Sequence, residues 1–111
     1  MLLASYTEGS PNAVKEAMAC DLPVIAVPVG DVAELLTGVE SCAVCPRDRQ
    51  ILGSALARVL QTGRRSNGHE TIRARGLDLT SVARHVAEVY DDVIQRRAAR
   101  QDSAVSMSKS A

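Results

Sequence analysis

Three short apolar runs, each bounded by turn residues, alternate with helical patterns along the first half of the chain. The runs are residues 1–5 (MLLAS), 23–29 (PVIAVPV) and 41–46 (SCAVCP). Continuous apolar runs of this length are typical of strands that are buried on both faces. Because a helical pattern follows each run, the order predicts consecutive strand–helix units and therefore an α/β fold with a parallel sheet.

Two short helices are predicted between the strands. The first begins near Asn12, with Pro11 close to its first turn, where a missing N–H costs nothing. The second lies within residues 30–38, with Asp31 as the expected N-cap and Gly38 just past its end. Both helices connect one predicted strand to the next.

Longer helical patterns fill the second half of the chain. Residues 47–63 place their aliphatic side chains on one face and stop at Gly63, whereas the polar, Arg-rich residues 64–76 are expected to be helical only in part. In residues 78–97 the apolar positions fall within an arc of about 140°, which predicts a helix with one buried face. These positions are Leu79, Val82, Ala83, Val86, Val89, Tyr90, Val93 and Ile94.

The end of the chain has a different composition. From about residue 98 it is Ser-rich and has no apolar period (AARQDSAVSMSKSA), so we expect residues 98–111 to form a disordered tail. A chain of 111 residues is one domain at most, which we place in residues 1–97.

Composition and charge narrow the class of protein. Hydrophobic residues make up 46% of the chain but aromatic residues only 2%, so the core must consist of aliphatic side chains. Thirteen basic residues balance thirteen acidic ones, which disfavours a nucleic-acid binder. No apolar run approaches the roughly 20 residues of a membrane span, and the first residues do not resemble a signal peptide. We therefore expect a cytoplasmic protein without a transmembrane segment.

The cysteines raise the question of a metal or redox site. Cys42 and Cys45 form a C-x-x-C, but a zinc site needs about four ligands, and the remaining candidates, Cys20, His69 and His85, are widely separated. An odd number of cysteines also argues against a disulfide framework. We interpret Cys42 and Cys45 as small hydrophobic residues on opposite faces of a strand, and we expect no metal.

A pair of glutamates marks the most informative stretch, residues 5–24 (SYTEGSPNAVKEAMACDLPV). Glu8 and Glu16 are eight positions apart, across a loop that leads into the first helix. In parallel sheets, ligands bind at the carboxyl ends of the strands, where this loop lies. Gly9 and Ser10 allow the backbone to approach a ligand, and the unpaired N–H groups at a helix start suit a phosphate.

The chemistry of two carboxylates beside a helix start favours a particular ligand. Glu16 lies about 60° from Ala13, on the flank of the predicted buried face, so it can meet a ligand at the rim of a cleft that Glu8 also reaches. Carboxylates repel phosphate but bind hydroxyl groups, so a nucleoside diphosphate sugar fits. The alternative is an ordinary turn followed by a glutamate that the helix dipole favours, and spacing alone favours this alternative.

Residues 8–35 (EGSPNAVKEAMACDLPVIAVPVGDVAEL) resemble the donor-site signature of the retaining GT-B glycosyltransferases of family 4. That signature is a Glu, seven residues, a second Glu, Ala-Met-Ala, a small turn, Pro-Val and a Val-Gly-Gly-like turn. The likeness extends over nearly all of residues 1–96. Two positions depart from it, because Asp21 and Asp31 stand where the family commonly has Gly.

The resemblance implies a role for each matched residue. Glu16 would bind the ribose hydroxyls, and Glu8 would contact the hydroxyls of the donor sugar and is the candidate catalytic residue. The backbone that would line the sugar and diphosphate belongs to Gly9, Ser10, Asn12, Ala13 and Val14. Transfer in this family needs no metal, so no cofactor is expected beyond the nucleotide sugar itself.

The resemblance also implies that the chain is part of a larger architecture. Residues 1–97 would be the second half of the Rossmann-like C-terminal domain of a GT-B enzyme, beginning at the fourth strand of the order 3-2-1-4-5-6. We expect such a fragment to be inactive alone, to need an N-terminal domain or partner chain, and to self-associate through an exposed strand edge. The alternative is a non-catalytic α/β remnant that binds a nucleotide weakly or pairs with a partner chain.

Overall fold

The computed structural model describes residues 1–110 and divides the chain into two compact units, Met1–Arg75 and Gly76–Ala111. The strands of the first unit are β1 (Leu2–Leu3), β2 (Ile25–Ala26) and β3 (Ala43–Val44). Its helices are α1 (Asn12–Ala19), α2 (Val32–Leu36), α3 (Arg49–Thr62) and α4 (Gly68–Ala74). In the second unit, the described residues contain α5 (Leu79–Lys109). Every element begins in a segment where the sequence predicted it, and the α/β class is confirmed.

The three strands form a parallel sheet in the order β1-β2-β3. Leu2 is paired with Ile25, and Ile25 with Ala43, so β2 occupies the centre. The backbone bonds extend beyond the short strands, since the N–H of Ile25 donates to the carbonyl of Met1 at 2.9 Å and that of Val27 to Leu3 at 3.1 Å. All three strands therefore end at the same edge of the sheet, and a helix follows each of them.

The core lies on the side of the sheet that α1, α2 and α4 cover. Its buried members are aliphatic apart from a methionine: Val14, Ala17, Met18, Val24, Ala26, Val32, Leu35, Leu36, Val39 and Ile72. The helices α1 and α4 approach closely, because a Cβ on Gly68 would lie 2.5 Å from the carbonyl oxygen of Met18. The other side of the sheet contacts α3, which has no fully buried residue.

The expected buried face of α5 is not buried in this structure. Val82 is 43% exposed and Val89 is 64% exposed, although both lie in the predicted apolar arc. An amphipathic face is buried only when another element covers it, and the second unit has no further helix or strand among its described residues. The pattern therefore predicted the helix but not its environment.

The helix α5 extends into residues 98–111, the segment for which the sequence predicts a disordered tail. Among the described residues of that segment, α5 continues through Lys109 with exposed side chains, and Ala111 lies outside the described residues. The segment contains no Gly or Pro that would end a helix. The hydroxyl of Ser103 donates to the carbonyl of Ala99 at 2.9 Å, within the helix. No helix in residues 1–110 is long and apolar enough to cross a membrane.

Candidate functional site

Two loops at the carboxyl edge of the sheet form the candidate site. The first follows β1 and carries Glu8, Gly9 and Ser10 into α1, and the second follows β2 and carries Gly30 and Asp31 into α2. Because β1 and β2 are parallel neighbours, their following loops lie side by side. This is the edge at which the sequence predicted a ligand.

Direct hydrogen bonds join the two loops. The backbone N–H of Asp31 donates to the carbonyl of Gly9 at 2.9 Å, and the hydroxyl of Ser10 donates to Oδ2 of Asp31 at 2.5 Å. Gly30 has a φ of 52°, and a Cβ there would lie 1.9 Å from the carbonyl oxygen of Gly9. Only glycine fits this position, both for its left-handed backbone and for the close approach.

The start of α1 has free backbone donors. Its N-cap is Pro11, which makes no side-chain cap, and within residues 1–110 the N–H groups of Asn12 and Ala13 have no hydrogen-bond partner. The side chains of both residues are exposed. The N–H of Val14 donates to the carbonyl of Pro11 at 3.1 Å. Two donors at the positive end of a helix dipole therefore remain available to an anion.

The two glutamates lie on either side of this helix start. Glu8 is half-buried in the loop before α1, and Glu16 is exposed in the second turn of the helix. Within residues 1–110, neither carboxylate forms a hydrogen bond or an ion pair. Both are therefore available to a ligand, and the expectation that they face the same ligand stays a prediction.

The remaining predicted residues differ in what they can offer. Asn12 and Ala13 expose their backbone, as described above. The carbonyl of Gly9 and the hydroxyl of Ser10 are already bonded to Asp31. Val14 is completely buried in the core, and its N–H is bonded, so it supports the helix start from below.

The structure shows how the chain accommodates aspartate at two positions where the family pattern has glycine. Asp21 has a φ of 53°, so it keeps the left-handed conformation that glycine favours and aspartate tolerates. Its Oδ1 accepts the N–H of His69 at 2.8 Å, and its carbonyl accepts the N–H of Ser66 at 3.0 Å. Asp31 has an ordinary φ of −91°. Asp21 thus links the end of α1 to the start of α4.

Arg47 is a residue at this edge that the sequence reasoning missed. Its guanidinium donates to the carbonyls of Ala4, at 2.7 Å, and Ser5, and it lies 4.0 Å from the centroid of the Tyr6 ring. Because Arg47 closely follows β3, the parallel arrangement brings it to the loop after β1. Its position just after the third strand was the available signal.

Two of the three cysteines, Cys42 and Cys45, lie directly before and directly after β3. Cys45 is buried, and Cys42 is half-buried and accepts the N–H of Val24 at 3.3 Å. Burial raises the pKa of the Cys42 thiol. Within residues 1–110, no group of three or more His, Cys, Asp or Glu side chains is placed to hold a metal ion. Cys45 is one of the buried core residues, and Cys42 is partly buried against the core cluster.

Comparisons with known proteins identify the family of this chain. Over 57 residues the chain is 39% identical to the putative teichuronic acid biosynthesis glycosyltransferase TuaC of Bacillus subtilis (strain 168). That match covers 51% of this chain and 15% of the relative, so the chain spans a small part of that protein's length. No solved structure matches the chain. The family model described as "Glycosyl transferases group 1" matches residues 1–62, which include β1 to β3 and all of α3. The chain therefore belongs to the glycosyl transferases group 1 family.

Proposed function

We propose that the first unit binds a nucleoside diphosphate sugar, as the donor side of a glycosyltransferase that retains the configuration of the transferred sugar. The observation that carries this proposal is the uncapped start of α1 beside the loop of Glu8 to Ser10. Free N–H groups at the positive end of a helix suit a diphosphate. The unpaired carboxylates of Glu8 and Glu16 suit the hydroxyl groups on either side of it.

The roles follow from this division. The amides of Asn12 and Ala13 bind the diphosphate, Glu16 binds the ribose, and Glu8 binds the sugar and supports its transfer, as in the retaining GT-B enzymes of family 4. No metal is needed in this scheme, because the helix start supplies the positive charge. The guanidinium of Arg47 orders the backbone that leads to Glu8.

A titration followed by nuclear magnetic resonance tests the binding step, because it detects millimolar affinity. The ligands are ADP, GDP and UDP and their glucose derivatives. We expect weak binding that shifts the amide signals of Asn12 and Ala13. Unchanged signals at the start of α1 with every ligand would contradict the proposal.

Two substitutions then test the roles of the glutamates. Glu16→Gln should weaken both the diphosphate and its sugar derivative, whereas Glu8→Gln should weaken only the sugar derivative. Loss of a charged hydrogen-bond partner costs about 1.5 to 3 kcal/mol, which is about 10- to 150-fold in Kd. Glu88→Gln, on an exposed part of α5, is the matched control. Equal losses for both ligands in both variants would contradict this division.

We expect no glycosyl transfer by this chain alone. Holding an acceptor hydroxyl against the donor in a dry cleft supplies about 7 to 11 kcal/mol of the barrier. The site described above lies at one open edge of a sheet. Incubation with labelled sugar nucleotides and mixed acceptors should give no product. Turnover that Glu8→Ala abolishes would show that the chain is sufficient.

A second candidate function is a non-catalytic module that pairs with another chain. It is favoured by the outer edge of β1, which has no neighbouring strand among the described residues, and by an adjacent open apolar groove of about 450 Å³ that Leu2, Leu52 and Leu56 help to line. An unpaired strand edge promotes association. Sedimentation should show self-association through this edge, and a monomer at all concentrations would count against the β1 edge as a surface for pairing with another copy of the chain.

A further inference from the structure

The carboxylate of Asp31 lies between the two loops of the candidate site. Its Oδ2 accepts the hydroxyl of Ser10, and its own N–H donates to the carbonyl of Gly9. Asp31 therefore contacts two consecutive residues of the loop that carries Glu8, once through its side chain and once through its backbone. The close approach of Gly30 to Gly9 brings these groups together.

Because the Asp31 side chain bonds Ser10, it does not cap the helix that Asp31 begins. Asp31 is the N-cap of α2, where an aspartate side chain usually accepts a backbone N–H of the first turn, but here it makes no such cap. Its Oδ1 is buried and has no partner within residues 1–110. A buried acceptor without a partner is destabilising. The Asp31 side chain thus bonds the loop that carries Glu8 and adds no capping bond to α2.

We propose that Asp31 is a positioning residue that fixes the Glu8–Ser10 loop, and with it the Glu8 carboxylate, relative to the start of α1. This inference rests on the proposed function, in which Glu8 contacts the sugar and the α1 amides contact the diphosphate. Asp31 acts through the loop and contacts no ligand itself. Its loss should therefore affect recognition of the sugar and leave recognition of the diphosphate unchanged.

The chemistry of the bond allows a conservative rescue. Asn at position 31 keeps a side-chain carbonyl that can accept the Ser10 hydroxyl, whereas Ala removes the acceptor. Ser10→Ala removes the donor from the other side. Because the two groups form one bond, Ser10→Ala combined with Asp31→Ala should do no more than either change alone.

Hydrogen exchange of the free chain tests whether the side-chain bond holds the loops together. Ser10→Ala should speed exchange of the Asp31 N–H at least tenfold while the sheet N–H of Val27 stays protected. Asp31→Asn should keep the protection at position 31. Ile72→Val, in the core away from the loops, is the control for general destabilisation and should affect both amides alike. Unchanged exchange in Ser10→Ala would overturn the inference.

Binding of UDP and UDP-glucose, or of whichever pair the wild-type chain binds best, tests the positioning role. Asp31→Ala and Ser10→Ala should each weaken the sugar derivative about tenfold and leave the diphosphate unchanged, and Asp31→Asn should restore wild-type discrimination. Equal weakening of both ligands, or of neither, would overturn the inference while the proposed function stands. If the wild-type chain binds neither ligand, the proposed function fails and the positioning role fails with it, whatever the exchange rates show.

Discussion

The helices α1 and α3 both begin at the carboxyl edge of the sheet, but their first turns are completed differently. At α3, Oδ1 of Asp48 accepts the N–H groups of Gln50 and Ile51, each at 2.9 Å. At α1, the N-cap is Pro11, which has no side-chain acceptor and leaves the next two N–H groups free. One helix start is closed by its own sequence, and the other is open.

At the same edge of the sheet, the start of α3 contributes to stability, and the start of α1 keeps donors free for the proposed ligand. A side-chain cap satisfies donors that would otherwise need water or a ligand, so α3 gains stability and loses the capacity to bind an anion. The open start of α1 adjoins Glu8, and the closed start of α3 follows Arg47, which binds backbone carbonyls. Of these two helices, α1 is therefore the one whose start keeps free donors for the ligand that we propose.

Gly30→Ala should have the largest effect, because it separates the Glu8 loop from Asp31 and leaves α3 intact. The left-handed backbone costs an L-residue about 1 to 2 kcal/mol, and the clash with Gly9 adds about 1 to 3 kcal/mol of strain. Denaturant unfolding should show a loss of about 2 to 5 kcal/mol. Gly53→Ala, where a Cβ meets nothing within 4 Å, should instead stabilise α3. A wild-type midpoint for Gly30→Ala would contradict the described approach.

Pro11→Asp should convert the start of α1 into a closed one like that of α3. The new carboxylate would accept first-turn N–H groups and repel a diphosphate, so we expect Kd for the nucleoside diphosphate to rise at least tenfold, or about 1.4 kcal/mol. Pro11→Ala, which adds no acceptor, is the control and should bind as the wild type does. Equal binding by the two variants would show that the helix start is not the anion site.

Asp48→Ala should open the start of α3 without creating a second binding site. Loss of an N-cap costs about 1 kcal/mol of unfolding free energy, measured by chemical denaturation. Asp48→Asn keeps an acceptor of equal rank and should be nearly neutral. If Asp48→Ala weakened nucleotide binding more than stability, the separation of the two helix starts would be wrong.

The smallest effect is expected at Asp78, the N-cap of α5, where a side chain also closes the helix start. Its carboxylate accepts the Ser81 hydroxyl at 2.7 Å and the Ser81 N–H at 3.0 Å, and these bonds lower the pKa of the Asp78 carboxyl from its ordinary value. The capping stabilisation should be complete above that ordinary value and disappear as the pH falls through the lower, folded pKa. A pH titration followed by nuclear magnetic resonance should show a higher pKa for Asp78 in Ser81→Ala than in the wild type. An identical pKa in both proteins would contradict the cap.

The strands and helices could be predicted because their signals are local. Apolar runs are recognised from neighbouring residues alone, and so are Pro11 at the start of α1 and Gly63 at the end of α3. The alternation of strands and helices then predicts the parallel order. The apolar face of α5 was also recognised, but its burial depends on a covering element. Periodicity describes one helix and carries no information about its neighbours.

The candidate site shows the same limit at the level of single side chains. Sequence placed Asp31 correctly at the N-cap of α2, yet its side chain bonds Ser10, 21 positions earlier in the chain. Arg47 reaches Ala4 from 43 positions away. Both contacts depend on the parallel pairing of strands. They become predictable only when residues are compared by their place at the sheet edge rather than by distance along the chain.

Cys20 is a suitable position for a spectroscopic label. It is the exposed cysteine of the three and lies at the C-cap of α1, whereas Cys42 is half-buried and Cys45 is buried. A helix of 8 residues is about 12 Å long, so a fluorophore or spin label on Cys20 would report from the opposite end of α1 without covering Asn12 or Ala13. Distance measurements from this thiol can then follow the start of the helix during ligand titration.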